Sequence, residues 1–333
     1  MRTSELDYEL PEALIAQKPA EPRDSSRLML VNVRTGGIQH HGFRDLPTCL
    51  RSGDAVILNE TKVLPARLDA RRPGGGRVEL LFLRDLGGPW EVLARPSKRL
   101  RPEMKLSTDD EEEIRVLENL GDGRWIVTGK DVPGTLDRNG HMPLPPYIEP
   151  TREAEEAYQT VYARNPGSAA APTAGFHFTE SLLEDLRAGG LSLARVTLHV
   201  GAGTFTPVRT ENLEEHRMHA ERYSVPDEAA RAVREAGRVV AVGTTVARTL
   251  ESWAVSGKPE GESELFIYPG YRWRAVDVLL TNFHLPRSTL LAMVMSFAGV
   301  DLVREAYRVA VEERYRFYSY GDAMLLVGGG RSL

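Results

Sequence analysis

The sequence predicts a mixed α/β (α+β) main domain interrupted by a small all-β, barrel-like insertion. Three observations carry this. From residue 151 onward, strand-like and helix-like patterns alternate, which is how mixed α/β domains are written. Residues 68–150 differ: they hold short runs of alternating apolar residues broken by Gly, Pro and charge. Strands at that spacing form small antiparallel barrels or sandwiches. Finally, Pro143-Leu-Pro-Pro146 makes a stiff return to the main body. The expected boundaries are therefore 1–67 plus 151–333 for a discontinuous main domain and 68–150 for the insertion.

Within the insertion the predicted strands are Arg77–Leu83, Trp90–Ala94, Glu113–Leu117 and Arg124–Thr128. Gly74–Gly76, Gly87–Pro89 and Asp109–Glu113 separate them. In the main domain, Ser181–Arg187 has helical spacing, with Gly189 and Gly190 suited to its end. Arg195–Val200 reads as a strand, and Pro226–Ala236 as a helix entered at proline. Arg238–Val242, apolar after its arginine, reads as a buried strand leading through Gly243 into a helix through Ser252. Val300–Arg316 is an amphipathic helix with Leu302, Val303, Ala306, Ala310 and Val311 on its apolar stripe. The glycine-rich tail after Val327 is expected to fray.

The bulk composition narrows the class. With 333 residues, 41% hydrophobic and 27% charged, the chain suits about two globular domains. No apolar run reaches the roughly 18 residues of a membrane span, and the amino terminus carries no apolar signal core. Cys49 is the single cysteine, so neither an intrachain disulfide nor a Cys-rich zinc site is available. A cytoplasmic protein is expected. The net charge is −5, but local balance matters more than the sum for a polyanionic partner. Lys62, Arg67, Arg71, Arg72 and Arg77 face only Asp69, and Arg95, Lys98, Arg99, Arg101 and Lys105 face only Glu103.

Four Gly/Thr/Pro-rich runs in the second half each hold a histidine or arginine: Ala171–Thr179, Thr197–Phe205, Val242–Glu251 and Thr281–Thr289. Sharp loops on a rigid scaffold are where binding and catalytic groups concentrate, so the main domain is expected to be catalytic. His177, His199 and His284 are candidate acid–base groups, since imidazole titrates near neutrality. Each could equally be a hydrogen-bonded structural histidine. Thr173 and Gly175 could give close backbone approach beside His177, as Gly201 and Gly203 could beside His199. Gly243, Thr244 and Thr245 lie between a strand and a helix, where backbone amides favour an anion. Arg248 could add a charged contact there, while Glu251 reads as structural. In early loops, Asp24 could hold a ribose diol beside Arg23, and Lys62 or Arg67 could meet phosphate. Tyr268, next to Pro269, Gly270 and Tyr271, could stack on a base.

These runs, with Asp7–Pro11, Ile15–Pro19, Pro22–Arg27, Leu58–Val63, Pro65–Arg67, Pro143–Tyr147, Tyr158–Ala163, Phe266–Tyr271 and Tyr318–Met324, resemble the S-adenosylmethionine:tRNA ribosyltransferase-isomerase family of queuosine biosynthesis. Glu60 stands where Asp is expected, and Ala220, Arg222, Val246 and Ala247 also depart from the pattern, but none of these removes a charged loop residue. The resemblance runs from about Leu6 to Val327. It implies transfer and isomerisation of the ribosyl moiety of S-adenosylmethionine onto 7-aminomethyl-7-deazaguanine at the tRNA wobble position, giving epoxyqueuosine-tRNA, adenine and methionine. It also implies no metal and no cofactor, S-adenosylmethionine being a consumed substrate. The partner is tRNA carrying that precursor, with the two basic clusters as its candidate surface. Neither a membrane nor an obligate protein partner is expected.

Three rival readings follow from the residues. Val200–Thr204 after a strand suggests a methyltransferase, but the third glycine is lacking and Pro207 stands where a helix should begin. His216 and His219 have i, i+3 spacing that could suit a metallohydrolase, though a solvated helix face also fits. A non-catalytic tRNA-binding adaptor leaves the histidine loops unexplained.

Overall fold

The computed structural model describes residues 1–201 and 208–332. The chain begins with the antiparallel pair β1 (Arg27–Asn32) and β2 (Ile38–Gly42), then helix α1 (Leu46–Cys49) and β3 (Asp54–Asn59). All six residues of β3 are buried, as expected for a central strand covered on both faces. After β4 (Thr61–Val63) the chain enters the insertion: β5 (Arg67–Arg71), β6 (Arg77–Asp85), β7 (Trp90–Arg95), β8 (Lys105–Ser107), β9 (Glu113–Gly121) and β10 (Arg124–Gly129). These close into a barrel in the order β10-β7-β6-β5-β8-β9. Period-2 patterning builds its interior: Leu68 and Ala70, Val78, Leu80 and Phe82, Val92 and Ala94, Ile114 and Val116, and Trp125 and Val127 are all buried. Helix α2 (Val132–Asn139), capped by Asp131, adds Val132 and Leu136 to that core.

The return runs through α3 (Arg152–Ala157) to β11 (Asn165–Ser168), which pairs in parallel with β4. Next come α4 (Glu180–Ala188), β12 (Ser192–Leu198), β13 (Glu221–Ser224), α5 (Asp227–Glu235), β14 (Arg238–Val242) and α6 (Thr244–Ser256). The chain closes with β15 (Glu260–Ser263), β16 (Val278–Asn282), α7 (Thr289–Ala298), α8 (Val300–Glu312) and β17 (Ala323–Val327). Among the described residues the main sheet has nine strands, in the order β15-β13-β12-β3-β14-β16-β17-β1-β2. Strands β12, β3, β14 and β16 are mutually parallel, so their carboxyl ends share one edge. In open α/β sheets that edge is where ligands bind. The mixed α/β body and inserted β-barrel are thus as the sequence predicts.

Several local expectations are corrected. Six strands, not four, build the barrel: β5 carries its two buried residues inside a charged run, and β8 has only three residues. Helix α8 ends at Glu312 rather than Arg316, because Arg314 takes a left-handed φ of +56°. His216 and His219 are not on a helix; they follow the 3-10 turn Leu213–Glu215 in an irregular stretch. The tail is docked, not frayed: a Cβ at Gly329 or Gly330 would strike Phe297, and Arg331 forms a bidentate pair with Asp277.

Candidate active site

A cleft of about 600 Å3 opens at the carboxyl edge of the parallel strands, and all four histidine- or arginine-bearing runs contribute to its wall. They supply Thr173, Val200, Gly243 to Thr245, and Thr281 to Leu285. Gly243 carries β14 into α6 with φ +88°, and a Cβ there would meet the Ala174 methyl at 3.4 Å. Only glycine takes that backbone without strain so close to a neighbour. The first-turn amides of α6 lack intrahelical acceptors by helix geometry, which makes Thr244 and Thr245 anion-compatible. Asn59, buried at the end of β3, donates to Leu198 O and Thr245 Oγ1 and accepts from the Leu198 and Thr61 amides. It fixes β3, β12 and α6 relative to one another.

The three histidines occupy different surroundings. His284 lines the cleft; its Nε2 is 2.7 Å from Thr281 Oγ1, and burial pulls its pKa down to about 3. Its amide donates to the Tyr307 hydroxyl, which fixes the backbone beneath the ring. His177 lies behind the cleft wall, stacked on Phe43 at 4.8 Å. Its Nδ1 is 2.8 Å from Ser26 Oγ and its Nε2 is 3.3 Å from Asn282 Nδ2. Because the Asn282 amide nitrogen can only donate, Nε2 accepts and the ring proton sits on Nδ1. Burial first, then Arg316 and Arg23, lower its pKa to about 3. His199 is half-buried, with Nδ1 2.9 Å from Thr61 Oγ1 and Gly167 pressed against its ring. Burial and then Arg222 lower its pKa.

Thr173 donates to Asn282 Oδ1 inside the cleft. Gly175 does not line it, but a Cβ there would fall 2.0 Å from the Tyr162 hydroxyl, so the residue is fixed by packing. The Gly201 amide donates to Glu221 Oε1, and Gly203 lies outside the described residues. A second cleft of about 720 Å3 shares Thr244, Thr245 and Leu290 with the first, and its remaining wall mixes apolar side chains such as Phe266 and Met293 with His216, His219 and Glu221. Arg248 is on its wall, but its guanidinium is engaged by the protein. It pairs with Glu221 at 2.8 Å and donates to His219 O, Ser263 O and Ser263 Oγ. The sequence expectation that Arg248 turns toward the Gly243 loop does not match this geometry: the glutamate and two carbonyls hold it facing β13 and β15. Glu251 is structural, accepting from the Tyr271 hydroxyl and the amides of Arg274, Ala275 and Val276.

The early-loop candidates stand apart from both clefts. Arg23 donates to the carbonyls of Ala157 and Gln159 and lies over the Phe176 ring, while Asp24 accepts from Arg44 and Thr179. Lys62 is exposed on β4. Arg67 opens β5, contacts Glu79 and donates to Leu144 O. Tyr268 packs against Phe266 at 5.0 Å. In the first basic cluster Arg67, Arg71 and Arg77 are ion-paired. In the second only Lys105 is; Arg95, Lys98, Arg99 and Arg101 are exposed at one end of the barrel without an ion pair among the described residues.

Asn282, Tyr147 and Tyr318 line the first cleft, and sequence reasoning did not single them out. Each stands in one of the family-like runs, but amides and phenols lack the near-neutral pKa that drew attention to the histidines. The left-handed φ of Tyr318 (+71°) is invisible in the residue type.

A family profile described as queuosine biosynthesis protein matches residues 3–326. The chain is 72% identical over 333 residues, the whole of both chains, to the S-adenosylmethionine:tRNA ribosyltransferase-isomerase of Rubrobacter xylanophilus. It is 52% identical to that of Symbiobacterium thermophilum, covering 98% of this chain and 100% of the relative. A crystal structure of S-adenosylmethionine tRNA ribosyltransferase from Thermotoga maritima aligns with a TM-score of 0.57 at 39% identity, over 97% of this chain and 100% of that one.

Proposed function

Because the chain belongs to the queuosine biosynthesis family of S-adenosylmethionine:tRNA ribosyltransferase-isomerases, we propose that it joins the ribosyl moiety of S-adenosylmethionine to a 7-aminomethyl-7-deazaguanine at the tRNA wobble position. The products are epoxyqueuosine-tRNA, adenine and methionine. S-adenosylmethionine is a consumed substrate, and no further cofactor takes part. The observation that carries this reading is the convergence of all four runs on one cleft beside the α6 amino terminus.

The sulfonium acidifies the neighbouring C5′ hydrogen, so a nearby base creates an ylide there. Adenine departs as the ribose ring opens, the neutral amine attacks, and methionine leaves last. Of the three histidines His284 alone lines the cleft, and burial keeps it neutral. One tautomer accepts from Thr281 at Nε2 and turns a donor N–H away from it; the other leaves an Nδ1 lone pair. We assign His284 to carry the proton from C5′ to the departing adenine, with abstraction leaning on the acidity the sulfonium confers. Thr244 and Thr245, at the free amides of α6, take the substrate carboxylate. His177 and Thr173 act by fixing Asn282. His199 and Gly201 position the end of β12. The unpaired arginines and lysine of residues 95–101 meet tRNA phosphates.

The test is release of free adenine from S-adenosylmethionine with precursor-modified tRNA, against unmodified tRNA. Adenine should appear only with the modified tRNA. Release of S-adenosylhomocysteine instead would mean methyl transfer and end the proposal.

A further inference from the structure

Tyr318 stands in the first cleft with a backbone that tyrosine rarely adopts, φ +71°. A bulky residue in the left-handed region is strained, and such strain persists only where the surroundings over-determine it. Three hydrogen bonds do so here. The Tyr318 amide donates to Phe283 O at 3.0 Å, and its carbonyl accepts from Gly321 N at 3.0 Å and Asn282 Nδ2 at 3.2 Å. Asn282 is itself held by His177 and Thr173.

The ring this backbone holds is packed against that of Tyr147, with centroids 4.7 Å apart and planes tilted by 51°. Tyr147 comes from the Pro-rich return of the barrel and also lines the cleft; its hydroxyl is 2.7 Å from Ser319 Oγ. The Tyr318 hydroxyl has no hydrogen-bond partner among the described residues, and burial pushes its pKa up to about 12, so it stays a proton donor at neutral pH. The wall therefore combines aromatic surface with one uncommitted donor.

We infer that Tyr318, braced by Tyr147, is a substrate-binding residue that packs against a planar nitrogen heterocycle and donates to one of its ring nitrogens. This rests on the reading above, which brings two such bases to the cleft: the adenine of S-adenosylmethionine and the deazaguanine of tRNA. Their shared chemistry is an aromatic face with nitrogen acceptors at its edge, and aromatic side chains bind such faces well.

The experiment has two arms on the full-length protein. One measures the dissociation constant of S-adenosylhomocysteine, an unreactive nucleoside probe, by titration calorimetry. The other measures binding of precursor-modified tRNA by filter retention. Tyr318→Leu should weaken one arm by about 5- to 150-fold, the range expected when one base loses its stacking partner. Tyr318→Phe, which keeps the face, should lose less. Weakening in the first arm assigns adenine, and in the second alone deazaguanine. Equal losses for Phe and Leu in both arms, with a lowered melting temperature, would reduce Tyr318 to a packing residue and overturn the inference. So would wild-type binding in both arms. If Tyr318→Leu does not fold, half-buried Tyr147→Leu decides the same question. Binding of both probes by the wild-type protein tests the underlying reading separately.

Discussion

His177 Nε2 accepts from the side-chain amide of Asn282 at 3.3 Å, and the same amide nitrogen donates to the carbonyl of Tyr318. The histidine therefore serves the cleft through another residue. Removing it leaves a buried donor unpaired, a loss of about 1–3 kcal/mol. His177→Ala should lower the melting temperature and, by freeing Asn282 beside the cleft, lower kcat for adenine release several-fold. His177→Gln, which can still accept, should recover part of it. Steady-state kinetics of the two variants check this; equal loss in both would count against a positioning role.

Two buried neutral histidines make stability depend on acid. The pKa values of His177 and His284 are about 3 in the folded chain, against about 6.5 for an unperturbed imidazole. Between those limits the unfolded chain binds more protons, so stability rises with pH across that window. The contribution of these two rings should be flat above about pH 7, fall progressively below about 6.5, and be fully lost near 3. Urea midpoints at about pH 4 to 8 measure the slope, which His177→Gln should reduce. A flat profile over that range would show that these rings do not stay neutral.

Arg248 and Glu221 form a pair in which each side chain is 7% exposed. Removing one partner strands a buried charge, at about 3–5 kcal/mol. Arg248→Met should be destabilised by that order, and Arg248→Met with Glu221→Leu by clearly less. Denaturant titrations of a double-mutant cycle give the comparison.

Arg95, Lys98, Arg99 and Arg101 are exposed and without ion pairs among the described residues. Changing all four to Gln should weaken tRNA binding and flatten its salt dependence by about 0.7–0.9 in log–log slope for each phosphate no longer neutralised. S-adenosylmethionine binding should be untouched. An unchanged salt slope would place the tRNA surface elsewhere.

Gly243 sits at φ +88° against Ala174. Gly243→Ala should cost about 1–3 kcal/mol of backbone strain and weaken S-adenosylmethionine binding by displacing the first turn of α6. Calorimetric titration, with the melting temperature as control, tests both effects.

Much of the architecture is legible in local pattern. Arg77–Leu83 and Arg124–Thr128 alternate, and alternation on a pleated strand buries one face. Val239–Val242 is apolar throughout, as suits a strand covered on both sides. Of the barrel strands, β5 and β8 escape notice because they are short or charged, so their periodicity is faint; in the main sheet only β12 and β14 read as strands. The four loop runs, too, are visible because glycine, threonine and histidine together mark sharp polar turns.

What the sequence by itself determined was this set of elements, the loops between them and, by resemblance, the family. The tertiary structure alone decided which loop residues face the cleft. Ser26 meets His177 across 151 positions, Glu221 takes Arg248, and Tyr318 is brought beside Tyr147. Periodicity reports a residue's own strand or helix, whereas a partner depends on which strands become neighbours. That order, set by packing the whole sheet, turned His177 inward, tied Arg248 to Glu221 and left His284 on the wall.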